Sequence, residues 1–329
     1  MFRSGNKLKI IIPIIVAVFV ALGLAFWFNR TVIFDIISTW SFHPSAEIAS
    51  VENKLALTGS GKIIFEATAP ALEDRENFNE HCKSHNQEVS VLGCYVGNHI
   101  YIYNIQSNDL TGIVESTSAH ELLHAVWERM DNSEKGRISK LLNSVYNDDL
   151  YHDSLSDDLE TYSEFDRIDE LHSRIGTEIT DLPKELEEHY AKYFTNQDLI
   201  VDYYNSYIEP FRELTREIES LSAELEKLDA EIESKTAEYY RLAEELSAKI
   251  DEFNKCADTM GCFITDTAFY AARNLLLLEQ SQVSDLFDDL NNLIVDYNDI
   301  VVEYNENVLR GEMLEKTINS NSEIEKKVE

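Results

Sequence analysis

The sequence predicts an N-terminal transmembrane helix, then an α+β domain with a small β-sheet, then a C-terminal antiparallel helical coiled-coil hairpin. Three observations support this fold class: an apolar run at 8–28, β-rich segments around a glycine turn, and heptad spacing in the last third of the chain. The predicted boundaries are 1–30 for the cytoplasmic stub and anchor, 31–45 for a linker, 46–205 for the α+β domain, 206–312 for the hairpin and 313–329 for a polar tail.

Composition limits the class of protein. The 329 residues allow two or three domains. The 61 acidic and 28 basic residues give a formal charge of −33, which argues against a general nucleic-acid-binding role. Only five prolines and eleven glycines occur, so we expect a mostly helical chain.

The N-terminal run at 8–28 is long enough to cross a bilayer core, which takes about 20 helical residues. Arg3, Lys7 and Lys9 at its front place the N-terminus in the cytoplasm, and aromatic residues at 26–28 are typical of an interfacial anchor. We therefore expect a single-pass cell-membrane protein that contacts the lipid bilayer through 8–28, with the remainder outside the cytoplasm. The alternative is a cleaved signal peptide.

The four cysteines form two close pairs, Cys82 with Cys94 and Cys256 with Cys262. An even count at short spacing in an exported chain predicts two disulfides. A four-thiolate zinc site is disfavoured because neither pair has C-x-x-C spacing, and free buried thiols are the remaining alternative.

The segment from 46 to 105 has the pattern of short strands and turns. Residues 62–67 follow Gly-Ser-Gly and are predicted as a strand. Residues 90–96 and 99–105 flank Gly97-Asn98, which predicts a β-hairpin with a two-residue turn.

The motif His120-Glu121-Leu122-Leu123-His124 falls in a helical pattern within 111–129. Positions i and i+4 share one face of a helix, so His120 and His124 can bind one zinc ion together. Glu121 is placed to take a proton from zinc-bound water. The neighbouring residues are apolar nearly all round, so the helix is predicted to be buried, and buried polar residues need partners that a metal supplies.

A strand pair followed by an H-E-x-x-H helix resembles the zincin metallopeptidases. The metzincin continuation is absent, whereas D-E-L-H-S-R at 169–174 resembles the N-E-x-x-S-D motif of the gluzincins, the thermolysin-like clan. The resemblance implies that Glu170 is the third zinc ligand. Asp169 and Arg174 depart from the motif. Arg174 could orient Glu170, and the acidic group that normally supports a ligating histidine must come from elsewhere, with Glu178 or Asp166 as candidates. Glu178 is also the alternative third ligand.

The stretch from 59 to 194 is similar to small membrane-anchored or secreted gluzincin-like proteins of bacteria. The segments that carry the likeness are SGKIIFEA, VLGCYVGNHIYIYNI, AHELLHAVWERM, ELHSRIGTEI and LEEHYAKYF. The resemblance implies a His or Tyr that donates to the oxyanion, for which His189, Tyr190 and Tyr193 are candidates, ordinary helix packing being the alternative. It also implies a sheet edge on which an extended substrate adds as a strand, here the strand at 99–105.

Apolar residues between 214 and 253 alternate spacings of four and three, and a second such run covers 276–308. This is heptad behaviour, and the CADTMGC segment between the runs fits the tip of an antiparallel hairpin. The hairpin is expected to extend from the domain, the alternative being a compact bundle packed on it. It could bind a protein partner or a second copy, and the chain beyond 314 is expected to fray.

These observations together predict an anchored, extracytoplasmic zinc metallopeptidase that holds one zinc ion and hydrolyses peptide or protein substrates. Two alternatives stay open. The zincin-like domain could be a non-catalytic docking module of a scaffold protein, or the substrate could be a cell-wall peptide.

Overall fold

The computed structural model describes residues 30–82, 91–148, 151–152, 155, 159 and 164–320. The chain divides into two compact units, Met1–Pro210 with Lys316–Glu329, and Phe211–Glu315. Helices make up 76% of the structure, as the scarcity of proline and glycine predicts.

The secondary structure follows the chain in this order. It consists of α1 (30–41), α2 (Ala46–Lys54), α3 (Gly59–Ala67), β1 (Ala71–Glu73), α4 (Arg75–His81), β2 (Gly93–Val96), β3 (His99–Tyr103), α5 (Ile113–Arg129), α6 (Asn132–Tyr146), α7 (Glu164–Glu178), α8 (Lys184–Tyr190), α9 (Gln197–Ala257) and α10 (Asp266–Ile318). Several starts are fixed locally, because the side chains of Ser45, Thr58, Asp74 and Asp131 accept hydrogen bonds from backbone N–H groups in the first turns of α2, α3, α4 and α6.

The sheet has three strands in the order β1-β3-β2. β1 runs parallel to β3, whereas β2 pairs with β3 antiparallel, from Gly93 opposite Ile102 to Val96 opposite His99. The predicted hairpin is present: Gly97 and Asn98 have φ of 59° and 65°, the left-handed pair that a tight hairpin turn needs. β3 lies between the other two strands, so the expectation that it forms the substrate-binding edge is wrong.

The strand predicted at 62–67 is also wrong, because these residues lie in α3. Thr58 caps this helix by accepting a hydrogen bond from the Gly61 N–H, and Gly61 and Phe65 then share one buried face. Gly61 contacts the backbone of Tyr193 so closely that a side chain would not fit there. A short apolar run does not distinguish a buried strand from a buried helix, and here the packing selects the helix.

Helix α5 lies at the centre of the first unit and packs against the sheet on one side and α7 on another. Ile100 and Ile102 of β3 and Leu122 and Leu123 of α5 are fully buried in one core cluster. Burying each such side chain contributes roughly 1.5–3 kcal/mol, so the core contacts strongly stabilise the position of α5. Leu171 and Ile175 of α7 join the same cluster.

The predicted membrane anchor is corrected. The proposed span at 8–28 lies outside the described residues, and none of the described helices is long and apolar enough to cross a membrane. Helices α9 and α10 exceed the length that a bilayer core of about 30 Å requires, but charged residues interrupt their apolar stripes. The single-pass topology, the localisation and the bilayer contact are therefore withdrawn. The α+β class is wrong as well, since helices dominate and the sheet has only three short strands.

Both predicted disulfides are present, and none of the four cysteines is free. Cys82 at the end of α4 bonds to Cys94 in β2, and Cys256 bonds to Cys262. The first bond ties the edge strand β2 to α4. Disulfides of this kind are typical of proteins from oxidising compartments.

In the second unit, the two long helices pair antiparallel. Lys249 of α9 contacts Glu279 of α10 at 2.7 Å, and the rings of Tyr239 and Phe287 lie 5.6 Å apart. As the residue number falls along α9, the residue number of the partner in α10 rises. The two helices are therefore antiparallel, as the predicted hairpin requires.

The expected frayed tail is wrong for the residues that directly follow Leu314. Helix α10 continues to Ile318, and Ser320 is buried in the first unit. Its hydroxyl donates to the carbonyl of Val91 at 3.0 Å, and its own carbonyl accepts from the side chain of Asn79. These bonds hold the segment at 316–320 against α4 and the start of β2.

Candidate metal centre

Helix α5 presents His120 and His124 on one face. Its start is fixed by Gly112, whose φ of 93° is accessible to glycine and whose missing side chain leaves room for the backbone of Tyr203. Because the two histidines are four residues apart, their rings lie one turn apart, with Nε2 atoms 3.1 Å from each other.

Helix α7 brings Glu170 to the same place. It packs closely on α5 because Gly176 has no side chain: a Cβ there would lie 2.5 Å from both Leu123 Cδ1 and Tyr190 Cε1. The carboxylate oxygens of Glu170 lie 3.5 Å from His120 Nε2 and 3.4 Å from His124 Nε2.

This His-His-Glu group could hold a metal ion, and its candidate ligand atoms all lie within 4.8 Å of one another. A tetrahedral zinc ion with bonds of about 2.0–2.1 Å needs ligand atoms roughly 3.3 Å apart. The three distances, 3.1, 3.5 and 3.4 Å, are close to that value. The three side chains keep 17–22% of their surface exposed, so an ion could reach them.

The pKa values of His120, His124 and Glu170 depend on one another. Burial lowers the pKa of His120, but the Glu170 carboxylate outweighs burial and the pKa is raised. Burial also opposes the shift of His124, whose pKa is nevertheless held well above its ordinary value by Asp169 and Glu170. The pKa of Glu170 is well below its usual range, because the two histidines outweigh the effect of burial. Zinc binding needs neutral imidazoles and an ionised carboxylate, so a zinc ion would compete with protons for these three side chains.

Asp169 contacts the ring nitrogen of His124 that does not face Glu170. Its carboxylate lies 2.8 Å from His124 Nδ1, so it accepts the ring N–H and leaves Nε2 directed at Glu170. Such a contact fixes the tautomer and the orientation of a ligating histidine. Sequence reasoning proposed Glu178 or Asp166 for this role and did not consider Asp169. The acidic residue directly before Glu170 on the same helix was the available signal.

Glu121 is 5% exposed and lies beside strand β2. A Cβ on Gly93 would come within 2.7 Å of Glu121 Cγ and Oε1 and of Thr117 Cγ2. The carboxylate of Glu121 therefore occupies space that only glycine leaves open. Sequence reasoning did not identify Gly93, because nothing local to the strand indicates which side chain approaches it.

The other predicted residues lie elsewhere. Glu178 forms an ion pair with Arg174 at 3.1 Å, and Arg174 also donates to the carbonyl of Leu155. Glu178 is therefore paired with Arg174 and does not belong to the group of His120, His124 and Glu170.

His189 and Tyr190 lie in the core with 1% and 0% exposure, so no substrate could reach them in this structure. Tyr190 donates its hydroxyl to the carbonyl of His172 at 2.8 Å, and the Nε2 atoms of His172 and His189 are 2.8 Å apart. Burial lowers the pKa of His189 to about 4, which keeps the ring neutral. Both side chains therefore pack in the core of the described structure.

No protein-family model, curated protein or solved structure matches this chain. The resemblance to gluzincins stays a prediction, supported by the sequence motifs.

Proposed function

We propose that this protein is a zinc-dependent metallopeptidase. The observation that carries the proposal is the convergence of His120 and His124 from α5 with Glu170 from α7 at spacings that suit one tetrahedral ion. Two imidazoles and one carboxylate are a donor set typical of catalytic zinc, and three protein ligands leave a fourth position open.

Bound zinc would supply a Lewis acid and lower the pKa of water in the open position towards about 7. Residues of this chain would transfer the proton and position the reacting groups. Glu121 accepts a proton from the attacking water and passes it to the leaving amine. Asp169 holds His124 in the ligating tautomer. The close approach of Gly93 fixes the carboxylate of Glu121.

Strand β2 supports the choice of a peptide as substrate. It lies at an edge of the described sheet and passes directly beside Glu121 at Gly93. An extended peptide that pairs with this edge by main-chain hydrogen bonds would run past the candidate base. β2 therefore replaces β3 as the proposed substrate-binding strand.

Metal content and peptide hydrolysis, both measured on the full chain, test the proposal. We expect one zinc per chain and cleavage of a mixed peptide library. Glu121→Gln should keep the zinc and lose at least about 10²-fold in rate, the usual effect of removing a general base. Glu185→Gln, at an exposed position on α8, is the matched control and should retain activity.

A second pair of variants tests whether Glu170 is a zinc ligand. Glu170→Ala should lose most of the bound zinc, whereas Asp166→Ala, one turn earlier on α7, should not. Zinc content that is undiminished in Glu170→Ala removes this residue from the site. A zinc-loaded wild type that cleaves no library peptide contradicts the peptidase assignment and favours the alternative of a non-catalytic docking module.

A further inference from the structure

A seven-residue repeat covers the middle of α10. Residues 291–311 consist of three consecutive heptads, NNLIVDY, NDIVVEY and NENVLRG. Each begins with asparagine and carries two adjacent apolar residues three and four positions later. We call the face formed by these nine residues the Asn-centred face: Asn291, Ile294, Val295, Asn298, Val301, Val302, Asn305, Val308 and Leu309.

The Asn-centred face points away from the seam between α9 and α10. Successive helical residues are about 100° apart, so the asparagine column lies between two apolar columns and roughly 140° from the centre of the seam. Seam residues such as Leu290 and Tyr297 are buried or half-buried. By contrast, Val295, Val302 and Leu309 are 56%, 57% and 58% exposed. An apolar column of this length on a described surface is typical of a binding site.

Charge selects the kind of partner. Between Arg273 and Arg310 this helix carries eight acidic residues and no basic residue: Glu279, Asp285, Asp288, Asp289, Asp296, Asp299, Glu303 and Glu306. Asp299 and Glu306 lie about 40° beyond the column of Val295 and Val302, so they border the Asn-centred face on one side. A second copy of this chain, with its charge of −33, would bring like charges together, whereas basic residues would complement the border.

The three asparagines restrict how a partner helix can align with this face. Asn291, Asn298 and Asn305 are exposed in the hairpin, but a helix laid on this face would cover them. A covered amide needs hydrogen-bond partners, and asparagine at heptad positions fixes the register of paired helices. The partner should therefore present polar residues at the same seven-residue spacing.

We propose that the Asn-centred face docks one amphipathic helix of a partner protein, with basic residues on the flank that faces Asp299 and Glu306. The apolar face of the partner helix packs against the Asn-centred face, and its basic flank lies against Asp299 and Glu306, as in the pairing of coiled-coil helices. This inference does not depend on the metal centre.

Synthetic helical peptides provide the probe. The first has four heptads with an apolar stripe, asparagine at every seventh position and lysine on the flank. The second has glutamate in place of lysine, and the third has the residues of the first reordered to abolish the repeat. Binding to the full chain is measured by fluorescence anisotropy at 0.15 M salt. We expect the lysine peptide to bind at least about fourfold more tightly than the glutamate peptide, since the exposed pairs at Asp299 and Glu306 each contribute roughly twofold.

Two leucines on α10 give a matched pair of variants, because Leu309 and Leu278 are each 58% exposed and only Leu309 belongs to the Asn-centred face. Leu309→Ser should weaken the lysine peptide about tenfold, and Leu278→Ser should leave its affinity unchanged. Asp299→Lys combined with Glu306→Lys should reverse the preference between the lysine and glutamate peptides.

Several results would overturn the proposal. The lysine peptide could fail to bind at 100 μM, which is about a thousandfold weaker than a typical specific complex. The reordered peptide could bind equally well, or the two leucine variants could behave alike. Sedimentation could also show a dimer that Leu309→Ser dissociates, which would make a second copy the occupant.

Discussion

Gly93 faces Glu121 across the boundary between β2 and α5, and Gly93→Ala tests whether this contact positions the candidate base. The added Cβ would lie 2.7 Å from Glu121 Cγ and Oε1. Neither backbone can move away easily. β2 is paired with β3 and is tied to α4 by the neighbouring Cys94, while α5 is buried in the core. The side chain of Glu121 must therefore move.

The size of the effect follows from the distances. Ordinary contact between a carbon and another heavy atom is roughly 3.5 Å, so the carboxylate of Glu121 must move by about 0.8 Å. A displacement near 1 Å at a reacting group can cost about 10²-fold in rate. We expect kcat/KM to fall about 10- to 100-fold. Overpacking should also lower the free energy of unfolding by about 1–3 kcal/mol.

The assay measures kcat/KM, zinc content and thermal unfolding on the same preparations. Gly93→Ala should keep its zinc, because it does not touch His120, His124 or Glu170. Gly136→Ala is the matched control, since a Cβ there meets nothing within 4 Å. If Gly93→Ala is folded, zinc-loaded and as active as wild type, the proposed positioning of Glu121 by Gly93 is refuted.

Three further predictions concern the metal centre and its supports. Asp169 and Glu170 hold the pKa of His124 well above its ordinary value, and zinc needs the neutral ring. Zinc affinity should therefore rise with pH up to that pKa, with about one proton released per ion, and Asp169→Asn should reduce this release in calorimetry across buffers. Gly176→Val should lower the free energy of unfolding by at least about 1–3 kcal/mol and weaken zinc binding, because its side chain would force α7 away from α5; equal zinc affinity would contradict this. Replacing Cys82 and Cys94 with serine should cost about 3 kcal/mol in denaturant unfolding and lower activity through the loosened β2; unchanged activity would separate the disulfide from the site.

The sequence by itself determined what depends on neighbours along the chain. The spacing of His120 and His124 places them on one helical face whatever the surrounding fold. Gly97-Asn98 specifies its hairpin turn because both residues tolerate positive φ. Heptad spacing likewise predicted two long helices, since the apolar stripe is a property of each helix alone.

Tertiary structure decided which distant groups meet. The apolar run at 62–67 fits either a strand or a helix, and in the folded structure it lies in α3, where Gly61 packs against the backbone of Tyr193. The sequence shows an acidic residue directly before Glu170, but only the packing of α7 on α5 brings the carboxylate of Asp169 to His124, 45 residues earlier. The contact between Gly93 and Glu121 depends on the packing of β2 against α5, because a glycine in a strand does not reveal which side chain occupies the space beside it.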